Sequence, residues 1–497
     1  MRNYERYLAH LRKIKDLENA MAVLSWDKEV NLPPKGARFR SQQMATLMGL
    51  AHELFTAPDF VDNVGELHQD GAALTPDEKR NIALSWMDLD RIRKLDTPFV
   101  IRYSELVSDA YQHWLEAREA NDFNIFQEPL DRLVGATREK AEMLGYDEHP
   151  YDILMEEFET GLRCRELDVL FKEVSNELAD FVRAIREKPV IDDHCLKQYF
   201  PKQEQWDFGL DLLKSIGYDF AAGRQDISPH PFTINFSPED VRITTRIDEY
   251  SIAQMVWSCI HEAGHALYEQ GLPPDAYGAP IGRFISLGIH ESQSRLWENN
   301  VGRALPFWKA YYKSLQAKFP KQLGGTSLEQ FYRAINRIEP SPVRTESDEL
   351  HYHFHILIRY EIEKSLIDGS LAVKDLREAW HEAYRTYLGL TPADDREGVL
   401  QDIHWAHGSF GYFPTYSLGS FYAAQFYAQA VKDIPGLEDR ISEGNTAPLL
   451  HWLREKIHSQ GRRYDAAELC RQITGEPLTM KYFLDYAKHK FGEIYNL

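Results

Sequence analysis

His261 and His265 lie four residues apart in the stretch "SCIHEAGHALYEQG", and Glu262 directly follows the first. On a helix, side chains four apart share a face with Cβ atoms about 5–6 Å from each other, so two imidazole nitrogens can meet one ion at about 2.0–2.1 Å. Glu262 cannot easily join the same ligand set, but it can reach a water held there and take its proton. This is the HExxH pattern of zinc peptidases. With 19 histidines among 497 residues, such a pattern arises by chance in about one comparable chain in fifteen, so it needs support from elsewhere.

A catalytic zinc takes three protein ligands and keeps one position open. "LGIHESQSRLWEN" offers the third ligand in Glu291, 26 residues after His265, on a second helix entered at Gly288 and packed through Leu296 and Trp297. The competing role for Glu291 is an ion pair with Arg295 four residues on; with HExxH ahead of it, the ligand role is preferred. "HYHFH" also sets His351 and His355 four apart. There Tyr352 stands where the base would be and the helix pattern is strongly apolar, so those histidines read as buried and satisfied.

The elements that carry these residues are legible around them. Ser251 with Gln254 three later resembles a capping box, and Gly271 followed by Pro273 and Pro274 ends the run, so the spacing predicts a helix from Ser251 to Gln270. Ile252, Val256, Cys259, Ala263 and Leu267 form its apolar stripe, while Gln254, Trp257, His261, His265 and Tyr268 form a second one. Just upstream, "PHPFTINFSPEDVRITTRID" alternates apolar and polar residues as a short β-hairpin or small sheet does, with no linker before the helix. The rest of the chain has helical periodicity broken at "NLPPKG", "GLPPDAYGAP" and "IEPSPV". In "ELDVLFKEVSNELADFVRAIREK", Leu167, Val169, Leu170, Val174, Leu178 and Phe181 line one stripe.

Composition sets limits on partners. Hydrophobic residues at 43% and charged residues at 27% suit a soluble globular protein. The formal charge of −20 argues against a surface built to neutralise nucleic-acid phosphates or to adhere to anionic lipid, and leaves room for a local basic groove. No run of about 18 apolar residues supports a membrane span, and "MRNYERYLAHLRKIKDLENAM" reads as a mature first helix. Cys164, Cys195, Cys259 and Cys470 are far apart with no CxxC pair, which points to a reducing cytoplasm.

Seven words together resemble the carboxypeptidase Taq family of zinc metallocarboxypeptidases. They are "HPF" at His230 to Phe232, "DVRITT" at Asp240 to Thr245, "HEAGH", "HESQSR" at His290 to Arg295, "VRTESDE" at Val343 to Glu349, "GVLQDIHW" at Gly398 to Trp405 and "GYFPTYSLG" at Gly411 to Gly419. The match spans roughly 230 to 420, and Ser347 stands where the family usually has Ala. The resemblance implies a mainly α-helical, two-lobed protein forming a single peptidase domain over 1–497, with a deep groove and a small sheet beside the active site. The fold would be akin to those of angiotensin-converting enzyme and neurolysin.

By the same resemblance His261, His265 and Glu291 become the metal ligands and Glu262 the general base and later proton donor. Arg344 becomes the clamp for a substrate's C-terminal carboxylate, a task suited to a planar guanidinium. Tyr416 becomes the oxyanion donor, with Tyr412 and His404 beside it, and His230, Asp240 and Arg242 shape the groove or support the ligands from behind. One Zn²⁺ per chain is implied, replaceable by Co²⁺, together with peptide substrates bearing a free C-terminus, a homodimer and broad side-chain tolerance. A neurolysin-like oligopeptidase cutting internal bonds is the alternative reading, and a non-catalytic peptide-binding scaffold a third.

Overall fold

Amphipathic helices follow one another from Asn3–Val30 to Lys481–Tyr495 in the computed structural model, which describes residues 3–497. Their buried residues form one large core running from Ala110 to Tyr495. In a smaller core, Tyr7, Phe60, Val64, Ile82 and Leu89 join the first helix to the helices Pro58–Gln69 and Pro76–Lys94. The fold is mainly α, with one small sheet, as the sequence implies. No helix among the described residues is long and apolar enough to cross a membrane.

The sheet has three strands in the order β1 (Gln225–Ile227), β3 (Asp240–Thr245), β2 (Thr233–Ser237). β2 and β3 are the hairpin that the alternation predicts, antiparallel with Thr233 opposite Ile243 and an irregularity between Asn235 and Ser237. β1 pairs parallel to β3; at three residues it is too short to leave an alternation in the sequence.

The chain then enters the helix Ile252–Glu269, here the histidine helix. Its bounds agree with the expectation, and Ile252, Val256, Cys259, Ala263 and Leu267 are all buried. The capping box does not form: the Ser251 side chain makes no cap hydrogen bond, because Ser251 is drawn into a backbone bridge with Asp248. In the 167–181 stripe, Val169 is exposed. Val169 stands two residues from Leu167 and so faces the other side of the helix; the buried stripe runs through Leu167, Phe171, Val174, Leu178, Val182 and Ile185, unbroken across the π-helical turn at Val174–Leu178.

Two more helices complete the frame of the site. The glutamate helix, Leu287–Arg295, packs between the histidine helix and the tyrosine helix, Pro414–Asp433. Two glycines allow the approach. A Cβ at Gly264 would stand 2.5 Å from the Ser294 Cα and 2.6 Å from the Gln293 carbonyl oxygen, and one at Gly419 would stand 2.6 Å from the Glu291 Cβ. All are closer than packed carbon atoms tolerate.

The start of the glutamate helix is held by a buried carboxylate. Glu159 accepts from the Ser286 hydroxyl at 3.0 Å and from the Gly288 N–H at 2.9 Å, while the Ser286 oxygen accepts from the Ile289 N–H at 3.1 Å. Burial pushes the Glu159 carboxyl up to about 7 against the pull of those donors. A native pKa above the ordinary 4.5 means that this group favours folding at low pH, and that the contribution is lost as pH rises through about 7. Glu159→Gln keeps a carbonyl for Gly288 and removes the ionisation. Denaturant titrations between about pH 5 and pH 8 should therefore show the variant gaining roughly 1–3 kcal/mol on the parent as pH rises. A difference that stays constant would exclude this buried titration.

Candidate metal centre

Three donor atoms converge where the histidine and glutamate helices face each other. Nε2 of His265 lies 3.5 Å and Nε2 of His261 3.8 Å from Oε2 of Glu291. His261, His265 and Glu291 offer ligand atoms all within 4.8 Å of one another, the one such group of three among the described residues.

Contacts on the far side of each group turn these atoms inward. His261 Nδ1 lies 2.8 Å from Glu298 Oε2 and His265 Nδ1 lies 3.0 Å from the His290 carbonyl oxygen. Both partners accept, so each Nδ1 carries the proton and each Nε2 presents a lone pair. Arg295 Nε donates to Oε1 of Glu291 at 2.7 Å, which occupies one carboxylate oxygen and leaves Oε2 toward the imidazoles. The same guanidinium bonds Glu298 at 3.1 Å and lies 4.5 Å from the centroid of the Tyr352 ring. Arg303 reaches Glu298 from the other side at 3.3 Å. The ion pair that the sequence offers as the competing role for Glu291 is thus present, and it engages Oε1 rather than Oε2.

The electrostatics follow from this arrangement. Burial would raise Glu291, but Arg295 and then His261 outweigh it and hold the carboxyl well below its ordinary range. Burial likewise opposes ionisation of Glu298, and Arg295 and His261 overcome it. Burial pushes His265 down to about 3, helped by His290, so it stays a neutral donor. For His261 burial acts the same way, yet Glu291 and Glu298 together raise it. Two imidazole lone pairs and one carboxylate oxygen, each group bonded at its other polar atom, fit a first-row divalent cation.

Glu262 sits beside this set without joining it. Its carboxylate is 7% exposed and Oε2 accepts from the Thr233 hydroxyl at 2.6 Å. Burial raises its pKa against the lowering effect of His261 and of Thr233. Strand β2 therefore holds the Glu262 carboxylate in place through Thr233, which directly follows the word "HPF" and has no signal in the sequence that would mark it.

Over residues 6–491 the sequence matches the family described as Carboxypeptidase Taq (M32) metallopeptidase. The chain belongs to this family. It is a metallocarboxypeptidase, 40% identical over 511 residues to "Thermostable carboxypeptidase 1" of Thermus thermophilus, with 99% of each chain covered. It is 37% identical to "Carboxypeptidase 1" of Bacillus subtilis, with 98% of this chain and 97% of that one covered. Among solved structures, the M32 carboxypeptidase from Deinococcus radiodurans R1 superposes with a TM-score of 0.98 at 36% identity over 100% of both chains. A Pyrococcus furiosus carboxypeptidase, described as "Apo-Mg", superposes at 0.96 with 36% identity over 99% of both. None of these matches favours the oligopeptidase or scaffold alternatives.

The remaining residues of this metallocarboxypeptidase divide into two groups. Arg344, His404, Tyr412 and Tyr416 cluster together. Arg344 is 7% exposed; its Nε and Nη2 donate to Asp402 Oδ1 at 3.0 and 2.8 Å and its Nη1 to the Tyr352 hydroxyl at 3.1 Å. Three of five guanidinium donors are thus engaged, leaving one hydrogen on each terminal nitrogen. Arg359 Nε donates to the other Asp402 oxygen at 2.6 Å, so one carboxylate positions two arginines. Tyr416 stands on the first turn of the tyrosine helix, one turn before the Gly419 that abuts Glu291, and its ring centroid is 5.0 Å from the Arg344 guanidinium carbon.

His404 Nε2 is 3.2 Å from the Tyr416 hydroxyl, while its buried Nδ1 has no partner. Burial pushes His404 down to about 3 against the pull of Asp402. Tyr412 lies 5.3 Å from Tyr416 and 5.2 Å from Phe158 between ring centroids. Buried Glu363 fixes this loop, accepting from Trp405 Nε1 at 2.8 Å, the Gly411 N–H at 3.0 Å and the Tyr151 hydroxyl at 2.6 Å.

His230, Asp240 and Arg242 form the second group and do not touch the ligands. His230 is exposed between β1 and β2, and what it contributes is its backbone carbonyl, which accepts from Ser228. Asp240 and Arg242 pair side by side at 2.8 and 2.9 Å. The Arg242 guanidinium lies 4.4 Å from the Trp26 ring and 4.8 Å from the Phe236 ring, so this pair docks the first helix on the sheet. The contacts behind His261, His265 and Glu262 are made by Glu298, His290 and Thr233.

Proposed function

We propose that the chain is a zinc-dependent carboxypeptidase of broad side-chain tolerance that releases single amino acids from peptide C-termini by Glu262-assisted attack of water. The observation that carries this reading is the inward convergence of His261 Nε2, His265 Nε2 and Glu291 Oε2, with Glu262 beside them but outside the group. Zinc, which His261, His265 and Glu291 would hold, would supply Lewis acidity toward the scissile carbonyl and the attacking water, and cobalt would suit the same donors.

The chain's own residues do the rest. Glu262, its carboxylate aimed by Thr233, takes the proton of the attacking water and later delivers it to the departing amine nitrogen. Tyr416, whose phenol burial keeps protonated well above its ordinary range, donates a hydrogen bond to the developing oxyanion, with Tyr412 beside it. Arg344 uses its two remaining N–H groups for the substrate's terminal carboxylate, while Asp402 fixes the plane of the guanidinium. His404, neutral and with Nδ1 unpartnered, offers that atom to the substrate backbone. The same reading takes the enzyme as a cytoplasmic homodimer; four unpaired cysteines suit a reducing compartment.

Glu262→Gln should bind zinc at the parent's stoichiometry while kcat falls by about 10²–10⁴-fold. Near-parent turnover with zinc bound would remove Glu262 as the base. Parent enzyme digesting one defined peptide should give a ladder of single-residue losses by mass spectrometry, abolished by chelator and restored by zinc.

Arg344→Gln should lower kcat/KM by about 10–100-fold for peptides with a free C-terminus and leave the residual rate on C-terminally amidated peptides unchanged. Equal losses on both substrate types would exclude the clamp.

A further inference from the structure

The two ligand imidazoles are supported in different ways. His261 meets a carboxylate directly, Glu298, which two arginines hold in turn. His265 has no carboxylate on its Nδ1. It faces another imidazole instead: His290 Nδ1 lies 2.6 Å from His265 Nδ1, and the His290 carbonyl oxygen lies 3.0 Å from the same atom.

A carbonyl oxygen only accepts, so the proton sits on His265 Nδ1. His290 Nδ1, facing that N–H, must then present its lone pair, and the His290 proton is placed on Nε2. That atom is 2.9 Å from Glu269 Oε1. No other placement avoids two hydrogens or two lone pairs meeting head-on. The second oxygen of Glu269 accepts from the Asn235 side-chain amide of β2.

Glu269 is itself unusual. It is 3% exposed, sits one turn beyond His265 on the histidine helix, and is paired with no lysine or arginine among the described residues; its single ion-pair partner is His290. A buried carboxylate bonded to an imidazole and a neutral amide has an orienting use for its charge.

We propose that Glu269 is a positioning residue for the metal: acting through His290, it fixes the proton of His265 on Nδ1 and so keeps Nε2 free and electron-rich for the cation. The sheet takes part through Asn235, which holds Glu269 in the rotamer that His290 needs. The proposal rests on the reading of His265 as a ligand, and its test separates the two.

The test measures Zn²⁺ affinity of the metal-free protein by competition with a chromogenic chelator, together with the visible spectrum of the Co²⁺-loaded protein. Five proteins are compared: parent, Glu269→Gln, His290→Phe, the double variant and His265→Ala. Glu269→Gln and His290→Phe should each weaken Zn²⁺ binding by about 10–100-fold and shift the Co²⁺ spectrum, with metal-free thermal unfolding close to the parent's. The double variant should be no weaker than the worse single one, because both act along one route. His265→Ala should lose tight binding altogether. Unchanged affinity and spectrum in Glu269→Gln while His265→Ala is stripped of metal would overturn the proposal and leave the ligand reading standing, and additive losses in the double variant would also overturn it. Tight binding by His265→Ala would overturn the ligand reading and this proposal together. Should Glu269→Gln not fold, His290→Phe alone carries the affinity test, and parent-like binding by it refutes the relay.

Discussion

One carboxylate sits at the junction of everything else in this molecule. Glu291 gives Oε1 to Arg295 and turns Oε2 toward two imidazoles. A buried carboxylate without the arginine would lose its charge to desolvation; Oε2 accepts from the Ser294 hydroxyl at 3.3 Å and keeps a second lone pair for a cation. Arg295 also holds Glu298, which in turn sets the tautomer of His261. A single guanidinium thus keeps Glu291 ionised and, through Glu298, fixes the proton of His261 on Nδ1. Its face rests on Tyr352, whose hydroxyl accepts from Arg344, so the metal centre and the proposed substrate clamp share a wall.

The fold serves that junction by bringing three helices closer than ordinary side chains allow. Gly264 and Gly419 flank the glutamate helix where the histidine and tyrosine helices press on it, and Glu159 fixes where that helix begins. The small sheet contributes a hydroxyl to the base through Thr233 and an amide to Glu269 through Asn235. Rigid elements on every side leave the reacting groups little room to reorganise, the condition under which fixed dipoles and charges contribute most to catalysis.

What the sequence makes legible is what is local. His261, Glu262 and His265 declare themselves because a helix turns four-residue spacing into a shared face, and the helix declares itself by its apolar stripe and the glycine and prolines after it. Glu291 is legible only by supposing a second helix; the Arg295 pair forms but engages one carboxylate oxygen, which is compatible with the proposed ligand role of the other. Glu298 leaves no such trace, since it sits on the π-helical turn Leu296–Gly302, which breaks the spacing rule that would project it toward His261. Thr233 and Asp402 act across 29 and 58 residues of sequence respectively, where no periodicity points. Arg242 has the composition of a functional residue, yet it packs on Trp26; an arginine in a distinctive word can serve an aromatic ring as readily as a substrate.

In the mechanism proposed above, three side chains on two helices hold one cation while Glu262 stays outside its ligand shell. Crystals of the protein grown with one equivalent of Zn²⁺, measured at the zinc absorption edge, test it most directly. The expected map shows a single anomalous peak about 2.0–2.2 Å from His261 Nε2, His265 Nε2 and Glu291 Oε2, with Arg295 still on Oε1 and no bond to Glu262. A peak elsewhere, or a Glu291 carboxylate turned wholly onto Arg295 with zinc in excess, would contradict it.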